Sequence, residues 1–416
     1  MADEKKEKIV ITGVGVVSSI GIGKEAFWQG LREGRSGIKP VTLFDTSTTR
    51  SKLAGEISDF KPEEILGPKG LRNLDRTTLL ALCAAKLALE DARFEITDEN
   101  ADDVGVVLGS TMGSVWSISE FDKESLRNGF KSVNPALFQN TVINSPASQV
   151  SIRFNIRGFN TTISSGFNSS MDALEYAARF LELGRAKAVL VGGVEELCEQ
   201  IYKGFHKIGF LSASRNGTEE LCAPFDLRRN GAVLGEGSAL FLLETEACAQ
   251  KRGAAIYARL DGIVSAFDEK NYFKYGRGGG GLTRTIEKVL EDSEITPRDI
   301  DCVAASANST VDGDYLESRV LRKTIVDRHQ DVVASAIKSM IGETFSGSGA
   351  FQIASSLFML TEQRIYPTIN LLSQDPRCKI NCSSRSFSNV KIKRVLVPSL
   401  SPMGQCSAAV LVRDKK

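Results

Sequence analysis

The chain has 416 residues, 52 Lys and Arg against 51 Asp and Glu, a net charge of +1, and 42% hydrophobic residues. At about 150 residues per domain, that length makes two or three packed units. The even charge excludes the basic footprint of a nucleic-acid or anionic-membrane binder, and no apolar run approaches the roughly 18 residues of a membrane helix.

The opening MADEKKEK mixes acids with lysines, and IVITGVGVVSSIGIG after it reads as a strand and turn rather than an export signal. A cytoplasmic protein is expected. In chain order, IVITGV (9–14) predicts a strand, TTLLALCAAKLALEDA (77–92) a helix, and VGVVLGS (104–110), AVLVGGV (188–194) and SALFLLET (238–245) further strands. The second part repeats the style. YARLDGIVSA (257–266) reads as a strand, GLTRTIEKVLEDS (281–293) as a helix and IDCVAASA (300–307) as a strand. GSGAFQIASSLFMLTEQ (347–363) is a helix, and a strand pair closes the chain over 395–414. Alternating strands and helices predict an α/β architecture with its sheets covered on both faces. The two halves, 1–255 and 256–416, share an element order, and no low-complexity linker separates them, so one fused body is expected.

Three motifs carry little. GVGVVSSIG (13–21) follows a strand, but Ser18 replaces the third glycine of a dinucleotide fingerprint. GRGGGG (276–281) reads as a surface loop. The eight cysteines include one close pair, Cys378 and Cys382, with no histidine near it, so reduced buried thiols and no metal site are expected. There are two histidines. His206 reads as structural, and His329, among charges, as a solvated loop residue.

Residues 161–193 are more informative. A short segment ends at Ser164-Ser165-Gly166, and a helix begins near Asn168 with Met171, Leu174, Ala178 and Leu181 on one face. Strand, tight bend and helix is the geometry of a nucleophile elbow, which exposes a side chain at a helix N-terminus. The residue at this bend is Phe167, which has no nucleophilic atom.

On these residues the chain resembles the β-ketoacyl synthases of the thiolase-like fold. The resemblance rests on IVITGVGVVSSIG with REGRSGI (32–38), NPALFQNTVINSPASQVSIRFNIRG (134–158), AVLVGG, FDLRRNGAVLGEGSALFLLE (225–244), ANSTVDGDYLE (307–317) and KSMIGETFSGSGA (338–350), in family order and spacing. It implies two pseudo-duplicated halves forming a layered α-β-α-β-α body, and no cofactor. The family's chemistry uses a cysteine at the elbow, which takes the acyl chain as a thioester, and two histidines that assist decarboxylation and stabilise the enolate. Here Phe167 stands at the cysteine position, Ser306 at the first histidine position and Glu343 at the second. Lys338, Glu317, Gly313 and Asp314 match the family pattern, while its GFGG loop reads Ser401-Pro402-Met403-Gly404.

Without thiolate or imidazoles, condensation by this chain alone is not expected. Glu343 adds a carboxylate where charge should develop, a repulsion of about 1–4 kcal/mol at about 4 Å. The pattern resembles the chain length factor, or β subunit, of type II polyketide synthases, which lacks the nucleophile and pairs with an intact ketosynthase. Many members carry glutamine where Phe167 stands. The resemblance implies two partners, an active ketosynthase and an acyl carrier protein, with no nucleic acid or membrane. It also places Val115, Ile118, Phe121 and Phe138 beside a tunnel crossing the dimer, where they either set chain length or simply pack. Phe167 either plugs the vacated pocket or drifted there once catalysis was lost. Two other readings stay open: an enzyme with a relocated nucleophile at Ser164, Ser165, Ser169 or Cys406, and a homodimeric acyl-binding scaffold.

Overall fold

The computed structural model describes residues 7–215, 217–268, 275 and 278–414. The start of the MADEKKEK segment and part of GRGGGG lie outside the described residues.

The strands that matter here are β1 (Ile9–Ser18), β2 (Val104–Gly109), β3 (Asn160–Ile163), β4 (Ala188–Glu195), β5 (Gly237–Thr245), β6 (Ala258–Phe267), β7 (Cys302–Ala304), β8 (Val333–Ser335), β9 (Asn381–Cys382), β10 (Arg394–Leu400) and β11 (Gln405–Arg413). They pair in the order β9-β8-β7-β10-β11-β6-β1-β5-β4-β2-β3. Outward from β1, the successive pairings to β5, β4, β2 and β3 are antiparallel, antiparallel, parallel and parallel. Outward from β6, the pairings to β11, β10, β7 and β8 repeat that sequence. Each founding strand also bulges at the corresponding place, between Ile11 and Gly13 and between Leu260 and Gly262. The duplication is structural, and β1 and β6 join the halves through antiparallel pairs from Ile9–Leu260 to Ile11–Ala258.

Helices α1 (Arg76–Asp91), α2 (Val115–Asn128), α3 (Ser169–Glu182), α4 (Glu199–Lys207), α5 (Gly280–Asp292), α6 (Val311–Leu321) and α7 (Ser348–Glu362) complete the frame. Three apolar clusters define its layers. One lies between α1 and the first half's strands, one between α5 and the second half's strands, and a central one combines Met171 and Leu174 of α3 with Phe351 and Leu357 of α7. Both α3 and α7 touch strands of both halves. The result is the five-layer α-β-α-β-α arrangement. Helix α7 is buried from Ser348 to Leu360, as a helix apolar on all sides must be.

The glycines of GVGVV serve packing. A Cβ at Gly13 or Gly15 would fall on the carbonyl oxygens of Ala88 and Ala84, so their absence lets α1 lie directly on β1. The strand predicted over 300–307 shortens to Cys302–Ala304 for an equally local reason. The Ser306 N–H donates to Glu317 Oε1 at 2.6 Å and the Asn308 N–H to Asp314 Oδ1 at 3.0 Å, so carboxylates of α6 take donors that a ladder would need.

Candidate functional site

The bend between β3 and α3 is held from three sides. Gly166 has φ +97, a left-handed conformation natural to glycine, and its carbonyl accepts from Thr111 Oγ1 at 2.6 Å. Asn168, just before the helix, donates from Nδ2 to the Ser399 carbonyl at 3.1 Å and to Ser407 Oγ at 3.0 Å. These bonds tie the bend to β10 and β11 and direct Phe167 inward.

Phe167 is 2% exposed. Its ring meets Phe345 edge-on at 4.9 Å between centroids, Phe210 at 6.0 Å and Phe205 at 6.1 Å. Phe205 also contacts Phe345 at 4.8 Å and Phe210 at 5.4 Å. Edge-to-face contacts at these separations are attractive beyond burial alone, by about 0.5–1.5 kcal/mol each. Phe345 reaches the cluster with φ +48, a costly conformation for a bulky residue that the surrounding packing holds. Leu197, Cys198, Ile201 and Tyr202 complete the buried wall.

The opposite side of the site is polar. Glu343 is fully buried and accepts four hydrogen bonds: Lys338 Nζ at 2.9 Å, Asn308 Nδ2 at 2.8 Å, the Phe345 N–H at 3.0 Å, and the Ser348 hydroxyl. Lys338, itself 2% exposed, also reaches Ser306 Oγ at 3.5 Å, and that oxygen accepts the Leu400 N–H at 3.1 Å. The lysine therefore pairs with the Glu343 carboxylate in place. Ser306, Lys338 and Glu343 therefore form one network, and Phe345 joins it to Phe167.

Glu317 and Asp314 back this network. Burial is the main influence on the Glu317 carboxyl, pushing it up to about 8 against the Ser306 N–H that favours its charged form. Burial likewise pushes Asp314 up to about 6, opposed by Arg229 and by the Phe225 and Asn308 N–H groups. One oxygen of Glu317 has no hydrogen-bond partner. The void between Tyr275, Ser306, Asn308, Glu317 and Leu400 is only about 10 Å³, room for at most one water.

None of the alternative nucleophiles has an imidazole as its hydrogen-bond partner. Ser165 Oγ donates to Asp172, Ser169 Oγ donates to the Gly166 carbonyl, and Ser164 is exposed. Cys406 is buried, and desolvation pushes its thiol up to about 12. Both imidazoles are engaged elsewhere. His206 Nδ1 lies 3.1 Å from Ser51 Oγ. His329 Nδ1 lies 3.1 Å from the Ile300 carbonyl, and His329 is half-buried rather than solvated. Cys378 and Cys382 are free thiols, and among the described residues no cluster of His, Cys, Asp or Glu could hold a metal.

Of the tunnel candidates, Val115 packs against the Phe167 cluster. Ile118 and Phe138 are 39% and 58% exposed, and Phe138 contacts half-buried Phe121 at 5.9 Å. Ile118 and Phe138 therefore lie on the surface of the chain, not in its core. Residues unmarked in the sequence complete the site: Asn308, Ser348, Phe205, Phe210 and Phe345. Glu195 is another. Fully buried and pushed up to about 6 by that burial, it accepts the Thr111 and Met112 N–H groups at 3.0 Å each and Ser346 Oγ at 2.6 Å. The aromatic spacing of GFHKIGF was the available signal for two of them; Glu195 and Asn308 had none.

The duplicated five-layer body with a strand–bend–helix at its centre defines a thiolase-like ketosynthase architecture. The chain belongs to the β-ketoacyl synthase family, whose N-terminal domain profile matches residues 6–249 and whose C-terminal domain profile matches residues 257–372. It is 32% identical to the 3-oxoacyl-[acyl-carrier-protein] synthase 2 of Coxiella burnetii over 98% of this chain and 99% of that protein. It is 31% identical to the protein of the same name from Synechocystis over 92% of each. Among solved structures, a chain described as "The ishigamide ketosynthase/chain length factor" superposes with a TM-score of 0.91 at 25% identity, over 99% of this chain and all of that one. Among the described residues no helix is long and apolar enough to cross a membrane.

Proposed function

We propose that this chain is a ketosynthase-like subunit without condensing activity of its own. In this reading it acts as a chain length factor, pairing with an intact ketosynthase to support and measure polyketide, polyene or fatty-acyl elongation on an acyl carrier protein. The observation that carries the proposal is Phe167. It occupies the elbow, and three further rings fill the space around it. A thioester needs a nucleophile and room for an acyl chain, and neither is present at that point. Ser306 and Glu343 carry no imidazole, and Lys338 is committed to Glu343. The halves divide at 255/256 in this reading.

A partner face is available. Strand β3 is the outermost strand of the sheet, open on one side. Trp116, Ile118, Phe138, Val142 and Ile143 are all at least 39% exposed. An open strand edge with exposed apolar side chains is a pairing surface. The test is co-expression with an intact ketosynthase bearing Cys, His and His. A 1:1 complex is expected, with product lost or shortened when this chain is omitted. Condensation of acyl and malonyl units by this chain alone would overturn the proposal, as would an unchanged product in its absence.

A further inference from the structure

A groove of about 340 Å³ opens beside the aromatic cluster, between α2, α4 and the segments carrying Phe44 and Leu74. Its apolar walls include Phe44, Leu74, Leu197 and Trp116, and the indole of Trp116 is 50% exposed. Trp28, the other tryptophan, is only 4% exposed. A half-exposed indole at the mouth of a small apolar groove offers a flat face for stacking.

The floor is acidic. Asp75 and Glu196, 4% and 1% exposed, both line it. Glu196 accepts the Trp116 N–H at 3.1 Å, and Asp75 accepts the Thr78 N–H at 2.8 Å as the cap of α1. The cations nearby have partners. Arg76 makes two 2.6 Å hydrogen bonds to Glu236, Lys123 pairs with Glu120, and Lys203 pairs with Glu199. Arg76 also lines the groove and its charge reaches Glu196, so the lining sets four carboxylates, Asp75, Glu120, Glu196 and Glu199, against one guanidinium. Burial, with Asp75 beside it, pushes the Glu196 carboxyl up to about 8. Gln200, also on the wall, holds a buried Oε1 with no hydrogen-bond partner.

We infer that this groove receives an arginine side chain from the partner ketosynthase, its guanidinium stacked on Trp116 and bonded to Glu196 and Gln200. This deepens the function proposed above and rests on it. A guanidinium is planar, donates several hydrogen bonds in a fixed fork and stacks on indole, matching the three features the groove presents. The volume suits a long side chain and is too small for a helix. Continuity supports the same occupant, because Trp116, at the mouth of the groove, is itself one of the exposed apolar side chains of the proposed partner face.

The experiment uses the whole chain labelled with 5-fluorotryptophan and an unlabelled intact ketosynthase. The 19F signal of Trp116 is expected to shift on complex formation while that of Trp28 stays. Glu196→Gln, which keeps the acceptor for the Trp116 N–H, and Trp116→Ala are each expected to weaken the complex about tenfold or more, with melting temperatures near that of the unsubstituted chain. Complex formation with an unmoved Trp116 signal, or with both variants within twofold of the parent, overturns the groove inference and leaves the proposed function standing. Failure of the parent chain to bind any intact ketosynthase removes both. A titration with n-butylguanidinium, compared with n-pentanol, checks the site itself: saturable binding abolished by Glu196→Gln is expected, and equal binding of the two probes overturns the cation role.

Discussion

Two loops that correspond in the duplicated fold close this site by opposite means. In the first half, the bend from β3 to α3 carries Phe167 into a cluster of rings. In the second half, the segment from β8 to α7 carries Glu343 into an ion pair with Lys338 and three further hydrogen bonds. One closure is dispersion and hydrophobic burial, which tolerates any ring that fits. The other is a buried charge pair, which fails if either member is removed alone. A buried ring and a buried carboxylate face different demands, one for shape and one for a counter-charge, and the local surroundings of each meet them.

Breaking the ion pair gives the largest expected effect. Glu343→Gln or Lys338→Met leaves one buried charge unpaired and should cost about 3–5 kcal/mol. The double variant Lys338→Met/Glu343→Met should lose much less than the sum of the two. Urea midpoints of the three proteins check this, and additive losses would erase the distinction between the two closures. Next comes Phe167→Cys, which places a thiol at the bend but empties most of a ring. A loss of about 2–4 kcal/mol is expected, just under the range for full truncation of a buried aromatic, with partial recovery on adding benzene. The new thiol should remain unacylated by acyl carrier protein, read by intact mass.

The pH dependence sharpens the polar side. An acid whose folded pKa is raised binds its proton more tightly when folded, so stability is lost as pH rises from its ordinary value of 4.5 to about 8 for Glu317. The loss is at most about 1.4 kcal/mol per pH unit for one group. Glu317→Gln should flatten that dependence, gaining stability at pH 8 and changing little at pH 5, as thermal melts at the two pH values would read. The smallest expected effect on stability lies outside both loops. Ile118→Ser and Phe138→Ser should each change folding stability by no more than about 0.5 kcal/mol, yet weaken the ketosynthase complex in a pull-down.

Much was legible beforehand. The strands at 9–14, 104–110, 188–194 and 238–245 and the helices at 77–92 and 347–363 match observed elements within a few residues, because strong apolar periodicity needs no tertiary help. The strand at 300–307 is shorter than its apolar run suggests, because the carboxylates that end it lie 11 and 6 residues beyond the Ser306 and Asn308 N–H groups that they accept. Val115–Asn128 escaped prediction, since its largest apolar side chains face outward and its pattern lacks a core-facing stripe.

The residue types at 167, 306 and 343 are readable from residue order alone, and so is the absence of sulfur and imidazole from those side chains, since chemistry follows from side-chain identity. What surrounds them is not. Phe205, Phe210 and Phe345 lie far apart along the chain from Phe167 or on a separate half, and only folding brings their rings within 4.9–6.1 Å of it. Whether Glu343 acts as an isolated anion or half of an ion pair was likewise decided by the rotation of one turn that brings Lys338 Nζ to 2.9 Å. Composition determines which groups a site holds; distance, which only the packed fold supplies, determines whether they repel, neutralise or simply fill space.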